Sequence, residues 1–390
     1  MRNLLTLLLL TFFYIGKIQA QNPETKVFIA GEEGHKSYRI PAIIQLPQGD
    51  LLAFAEGRVL GSGDFGDINI VLKRSTDNGK TWSPLQVVVD YENLQAGNPA
   101  PVVDKMDPAY PQGRIFLFYN TGNNHEYEVR MKKGYREVWY ITSLDGGQTW
   151  STPVNITAQT HKIQQPDVNP AYNFPEDWRT YANTPGHAMQ IENGPYKGRI
   201  FVAANHSEGD AKKDFTDYVA HGYYTDDHGK TFKISENVPL WGSNESTAAE
   251  ISGGRLMMNS RDQNGEKRYR IVSISEDGGS TWSKSDHDTN LPDPVNQGSL
   301  LYLGRLKGKD HIAFCNANHQ TRRDNLTVRI SNDDGKSWFK NLVIAKSPEG
   351  YKGSAFSAYS DLVKIDSKRI GVLYEKDNYQ SIVFTTVKWR

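Results

Sequence analysis

The chain has 390 residues with 45 Lys or Arg and 45 Asp or Glu, so its formal charge is zero and the balance excludes nucleic acid or an anionic membrane as an evident partner. A single cysteine, Cys315, excludes a disulfide framework; the fold must be held by buried apolar surface, which a chain of this length can supply. Eight Trp, 20 Tyr and 34 Gly, set among short apolar runs and frequent turn residues, favour an all-β chain.

The first element is a leader. Residues 1–20, MRNLLTLLLLTFFYIGKIQA, combine Arg2, an apolar run from Leu4 to Ile15 and the small Ala20, the layout of a secretory signal peptide too short for a membrane span. No Cys follows the run, so lipid attachment is not expected, and the reading is of an exported protein, periplasmic or secreted, with one mature domain over residues 21–390. Next come a short strand, KVFIAG, and then SYRIPAII, Ser37 to Ile44. Here Arg39, which cannot deprotonate, heads a run that otherwise reads as buried, and therefore calls for an anion.

Two interleaved repeats organise the remainder of the chain. One is a box of the form S-x-D-x-G-x-T-W, in STDNGKTW (75–82), SLDGGQTW (143–150), TDDHGKTF (225–232), SEDGGSTW (275–282) and SNDDGKSW (331–338). The other is a turn followed by an apolar strand, marked by Leu51, Ile115, Ile200, Leu256, Ile312 and Ile370; the first five copies each lead to the Asp of a box and the sixth meets the chain end. Six units of about four antiparallel strands predict a six-bladed β-propeller with Asp-box repeats, its ring closed by the N-terminal strand pairing into the last blade. The widest spacing holds a Pro- and Asn-rich insertion, 160–194, which predicts a long loop over one face.

The boxes read as structure. Asp and Gly suit a tight turn, Ser, Thr and Asp side chains bond local backbone, and Trp packs between units; the further ligands of a calcium loop are missing. Four Asn-x-Ser/Thr sequons, at Asn155, Asn205, Asn244 and Asn325, read as chance.

Antiparallel alternation places the start of the first strand of each unit and the end of the second on one face, with the box turns on the other. Arg39, Glu245 and Tyr359 begin first strands; Glu56, Arg58, Arg261 and Glu375 end second strands; Asp64 and Arg323 come after them in loops. That common face is the predicted site. Singly, each residue has a plain structural reading: Arg58 with Glu56 as a rim pair, Arg261 and Arg323 as solvated loop arginines, Tyr359 as a core aromatic. No HExxH pair or His/Cys cluster at zinc spacing occurs, so neither a metal nor a cofactor is expected.

At these residues the chain resembles the exo-sialidases (neuraminidases) of bacterial secreted and animal type, glycoside hydrolase family thirty-three. The likeness runs over the mature chain: YRIP, five Asp boxes, NEST followed by Glu250, NSR at 259–261, RRDNLTV at 322–328, AYSDL and LYE. The resemblance implies that Arg39, Arg261 and Arg323 hold the carboxylate of a terminal sialic acid, with Arg323 taken over Arg322 on its spacing before Leu326, and that Glu375 orients Arg39. It implies Tyr359 as nucleophile, Glu245 as its base, Asp64 as acid/base with a raised pKa, and Arg58 as a contact to ring hydroxyls. Glu250, a rival for the base, should lie further down its strand. A tyrosine nucleophile has a physical reason, because a carboxylate would approach an anomeric carbon that already carries one; sialidases are the tyrosine exception among glycosidases.

These readings converge on a monomeric retaining exo-α-sialidase acting on sialylated glycans of glycoproteins, glycolipids and oligosaccharides. A trans-sialidase would share the catalytic residues. A sialic-acid-binding lectin would lack Tyr359, Glu245 or Asp64, and a propeller glucanase or sorting receptor has no reason to gather three arginines on one face.

Overall fold

A computed structural model describes residues 23–390; the leader assigned to 1–20 lies outside them. The strands are β1 (Glu24–Ile29), β2 (Ser37–Gln45), β3 (Leu51–Arg58), β4 (Ile68–Ser75), β5 (Gln86–Val89), β6 (Gln95–Asp104), β7 (Arg114–Gly122), β8 (Arg136–Ser143) and β9 (Val154–Asn155). They continue through β10 (Arg179–Asn183), β11 (Met189–Gln190), β12 (Ile200–Ser207), β13 (Tyr218–Thr225), β14 (Lys233–Ile234), β15 (Ser243–Glu250), β16 (Leu256–Asp262), β17 (Tyr269–Ser275) and β18 (Ser285–Pro292). The last are β19 (Ser299–Leu306), β20 (Lys309–Ala317), β21 (Leu326–Ser331), β22 (Lys340–Ala345), β23 (Ser357–Lys364), β24 (Arg369–Lys376) and β25 (Ser381–Lys388). Two short helices, α1 (Glu126–Arg130) and α2 (Thr157–Thr160), sit in connections.

The chain is an all-β propeller. β2 packs beside β6 and β23, β11 beside β6, β12 beside β15, β15 beside β19 and β19 beside β23, so strands of successive sheets ring a common axis. The expectation of six separate blades needs correction, because the hydrogen-bonded sheets among the described residues number five. The cause is local: one parallel pair, Ile68 with Gln95, joins β4 to β6 and fuses the antiparallel runs β2 to β5 and β6 to β9 into an eight-stranded sheet. A second correction concerns 160–194. Part of it is no loop: β10 and β11 both pair with β12 and together form the inner edge of their sheet, interrupted at Thr184–Ala188.

Core clusters lie between neighbouring sheets. Leu303, Ala313 and Val328 of one meet Leu362, Val372 and Tyr374 of the next, as alternating strand residues on facing sheets should. Box aromatics extend this packing: Trp82 stands edge-on to Phe384 and Trp282 to Phe201 across seams between sheets, and Trp150 to Phe54 between the two halves of the fused sheet. Within a box, Asp77 accepts from the Lys80 and Thr81 amides and from the Ser75 and Thr81 hydroxyls, so the carboxylate closes the turn. As expected, β1 pairs antiparallel with β25 and covers the edge of the last sheet.

Near the axis, one fully buried carboxylate ties several inner strands. Asp361 of β23 accepts from the Ile43 amide of β2 (2.8 Å), from the His187 amide (3.0 Å) and ring Nδ1 (2.7 Å), and from Ser299 Oγ of β19 (2.8 Å). Burial alone would lower the His187 pKa, but the Asp361 charge and hydrogen bond outweigh it and raise it.

Candidate active site

The heads of four inner strands share a defect. Pairing with the second strand slips between Arg39 and Ala42, between Gly97 and Ala100, between Ser243 and Ser246, and between Ser357 and Ser360. Such bulges re-aim a side chain that regular alternation would send elsewhere. The slips enclose Asn98, Glu245 and Tyr359 and one of them begins at Arg39, and all four residues line one cavity of about 210 Å³ on the predicted face. Ile40 sits at φ 59° and Asn98 at φ 50° within two of them; a positive φ is costly for a β-branched residue, so the Arg39 backbone turn is held against local preference.

Glu375, at the end of β24, is what holds it. One oxygen accepts from Arg39 Nε (2.6 Å) and from the Ile40 amide (3.0 Å), the other from the Tyr359 amide (3.2 Å). The expected orienter of Arg39 thus also fixes the backbone of Tyr359. The Tyr359 hydroxyl donates to Glu245, lying 2.7 and 2.8 Å from its two oxygens, and accepts from Arg261 Nη1 at 2.9 Å. Arg261 also meets Glu245 Oε2 at 2.8 Å. Burial first, and then the Glu245 charge, push the phenol above its ordinary pKa against the pull of Arg261, Arg323 and Arg39, so the hydroxyl is neutral at physiological pH.

Arg323 follows β20 and lies in the cavity, whereas Arg322 is exposed and paired with Asp324. Arg323 donates to the Tyr379 hydroxyl (2.9 Å), and the same ring stacks under the Arg39 guanidinium at 4.3 Å. Three guanidinium groups of the cavity therefore surround the Tyr359 ring and hydroxyl, an arrangement that can grip one carboxylate.

Two sequence readings change. Arg58 is no rim residue: it is 3% exposed and forked onto Glu56 Oε2 at 2.7 and 3.1 Å. Asp64 was expected to have a raised pKa, but the opposite holds. Burial works to raise it, and is outweighed by the charges of Arg58 and Arg39 and by the 2.7 Å bond from Arg58 Nη1. The physical reason is the company its loop keeps: Asp64 lies against the Arg58 guanidinium and within 4.0 Å of that of Arg39.

Glu250 lies at the far end of β15, where it accepts from the Glu192 and Asn193 amides and lines a separate cavity of about 340 Å³ on the opposite side. It is no part of the Tyr359 cluster. Asp104, Asp107 and His228 also converge away from the site, but Arg114 already bonds Asp107, and Gln190 and His228 occupy the oxygens of Asp104. Nothing in that donor set asks for a cation.

Sequence reasoning missed Gln95, Asn98, Glu126, Arg136, Asn205 and Asn244, which complete the cavity. Only Asn98 carried a signal: Asn98-Pro99-Ala100 heads its strand as Arg39-Ile40-Pro41-Ala42 heads another.

An Asp-box propeller with a tyrosine–glutamate pair among partly buried arginines is the class defined by this fold and site. Residues 49–372 match the model of the BNR repeat-like domain. The chain is 33% identical over 377 residues to a sialidase of Micromonospora viridifaciens, covering 90% of this chain and 52% of that one. It is 31% identical over 372 residues to an exo-alpha-sialidase of Aspergillus fumigatus, covering 88% and 80%. The solved structure of the Hadza microbial sialidase Hz136 superposes with a TM-score of 0.77 at 27% identity, over 94% of this chain and 68% of that one. The chain belongs to the sialidase family, and spans about half the length of the Micromonospora relative.

Proposed function

We propose that the chain is a retaining exo-α-sialidase that releases terminal sialic acid from glycoconjugates through a covalent tyrosyl-enzyme intermediate, without metal or cofactor. The observation that supports this most is the Tyr359 hydroxyl held between both oxygens of Glu245 and Arg261, an arrangement with no use in a plain binding module. On this reading the fused sheet counts as two blades, giving a six-bladed propeller over residues 21–390, and residues 1–20 export it.

The sugar carboxylate docks on Arg39, Arg261 and Arg323, which fixes the anomeric carbon over Tyr359. The phenol oxygen attacks that carbon as the glycosidic bond breaks; the phenol proton passes to Glu245, and Asp64 donates a proton to the departing oxygen. Water then attacks the same carbon, losing its proton to Asp64, while the tyrosine leaves and regains its proton from Glu245. Two displacements return the original anomeric configuration. Asp64 must begin protonated, although Arg58 and Arg39 favour its ionised form; a sugar that draws Arg58 onto its hydroxyls and Arg39 onto its carboxylate weakens both influences, and covering the loop from water raises the pKa further.

Incubation with a fluorogenic sialoside and a matching neutral glycoside tests the reading. Wild type releases fluorophore from the sialoside alone, with the product first seen as the α anomer, and Tyr359→Phe loses at least about a thousandfold in kcat/KM. Release from neither substrate by folded protein contradicts the activity. Adding lactose as acceptor separates hydrolysis from transfer.

A further inference from the structure

The far wall of the site cavity is built for oxygen atoms. We propose that Arg136 and Asn205 read the substituent on the ring carbon opposite the carboxylate-bearing one, and that the protein prefers sugars whose substituent there ends in a hydroxyl over those that end in the methyl of an acetamide. The inference rests on the sialidase reading.

Ring chemistry fixes the position. In the six-membered ring of sialic acid the carbon bearing the acylamino group lies directly across from the anomeric carbon. The carboxylate is held by arginines from β2, the end of β16 and the loop after β20. Its opposite therefore faces the elements that supply Gln95, Asn98, Glu126, Arg136 and Asn205, namely β6, α1, β8 and β12.

The chemistry of that wall suits a polar group and not a methyl. Arg136 is 5% exposed, yet no carboxylate lies within ion-pairing distance of it among the described residues; its guanidinium donates from Nη1 to Gln95 Oε1 at 2.8 Å, and Nε has no partner. Arg39, Arg58 and Arg261 each have a glutamate. Arg323, the other cavity arginine without a carboxylate among the described residues, is the one whose anion the substrate carboxylate supplies. A buried cation without a counter-ion, as Arg136 is, calls for acceptor oxygens. Asn205 is 1% exposed, lines the cavity, and leaves both its amide nitrogen and its oxygen unpartnered. Ile40 is the one aliphatic side chain among the described lining residues, and it stands next to Arg39, on the side of the carboxylate. An acetamide methyl would be desolvated against a guanidinium and an amide, whereas a hydroxyl can accept from Arg136 and both donate to and accept from Asn205.

Three fluorogenic sialosides differing only at that carbon test this: acetamido, hydroxyacetamido and free hydroxyl. Wild type is expected to give a kcat/KM at least about tenfold higher on one or both hydroxyl-ended substrates than on the acetamido one. Arg136→Leu and, separately, Asn205→Ala, each checked for an unchanged melting temperature, are expected to shrink that ratio toward one. Equal or better turnover of the acetamido substrate by wild type overturns the proposal while leaving the sialidase reading intact, as does an unchanged ratio in both variants. No release from any of the three overturns both.

Discussion

Arg58 sits between two carboxylates and decides the ionisation of one of them. Its buried fork belongs to Glu56, while its Nη1 reaches the exposed Asp64 and, with Arg39, holds that carboxyl below its usual range. In the proposed mechanism Asp64 must be protonated to work, and an acid held low gives an alkaline limb of kcat/KM at acidic pH. Arg58→Met removes the larger of the two charges, so the Asp64 pKa rises and the limb should move to higher pH even if the plateau falls. A pH–rate profile reads this directly, and a lowered plateau with an unmoved limb would assign the acid elsewhere. Arg39, Glu245 and Tyr359 were legible in the sequence because polar residues at the head of apolar strands are out of place there. The protonation of Asp64 was not legible, since it depends on a loop conformation that sets the carboxyl beside two cations.

At the scale of the element, the site is made by bulges and the opposite face by turns. The bulges could not be read, because they shift pairing without changing the apolar alternation that reveals a strand. Asn98 therefore escaped notice despite lying in the same kind of slip as Glu245. The boxes were fully legible, and they predict an acid sensitivity unrelated to catalysis. Hydrogen bonds within the turn hold Asp77 at about 2, and in Asp145 those from Thr149 and Ser143 override burial to reach about 2; the other three box carboxylates are lowered also. A depressed folded-state pKa contributes stability that is complete above the unfolded value of about 4 and is lost as pH falls through the folded one. The melting temperature should accordingly fall between about pH 4 and 2, and Asp145→Asn should make that fall shallower while leaving sialoside turnover at neutral pH unchanged; an identical slope in the variant would mean that the acid transition has another origin.

For the whole molecule, repeats counted in the sequence located the units and the closing strand, while the single bridge between Ile68 and Gln95 that fuses two of them lies below what any repeat can show. Nor was a role legible for the Asp361 of AYSDL, whose carboxylate reaches Ile43, His187 and Ser299 across the axis and holds separate parts of the ring to one another. Asp361→Ala strands those donors and leaves His187 without its anion, at an expected cost of about 3–5 kcal/mol in urea unfolding. A loss below about 1 kcal/mol would make the tie incidental. The ring matters to function because the proposed site draws its parts from separate places around it: the nucleophile from β23, its base from β15, the carboxylate clamp from β2, β16 and the loop after β20.

Whether Tyr359 carries the sugar decides the proposed mechanism. A fluorinated sialosyl fluoride, which forms the intermediate faster than water can resolve it, followed by proteolysis and mass spectrometry of the peptides, asks this of the native protein. A tyrosyl intermediate predicts one added fluorosialosyl group on the peptide containing Tyr359, at the tyrosine itself, and none in Tyr359→Phe. An adduct on Glu245 or Asp64 instead, or inactivation with no adduct on Tyr359, would contradict it.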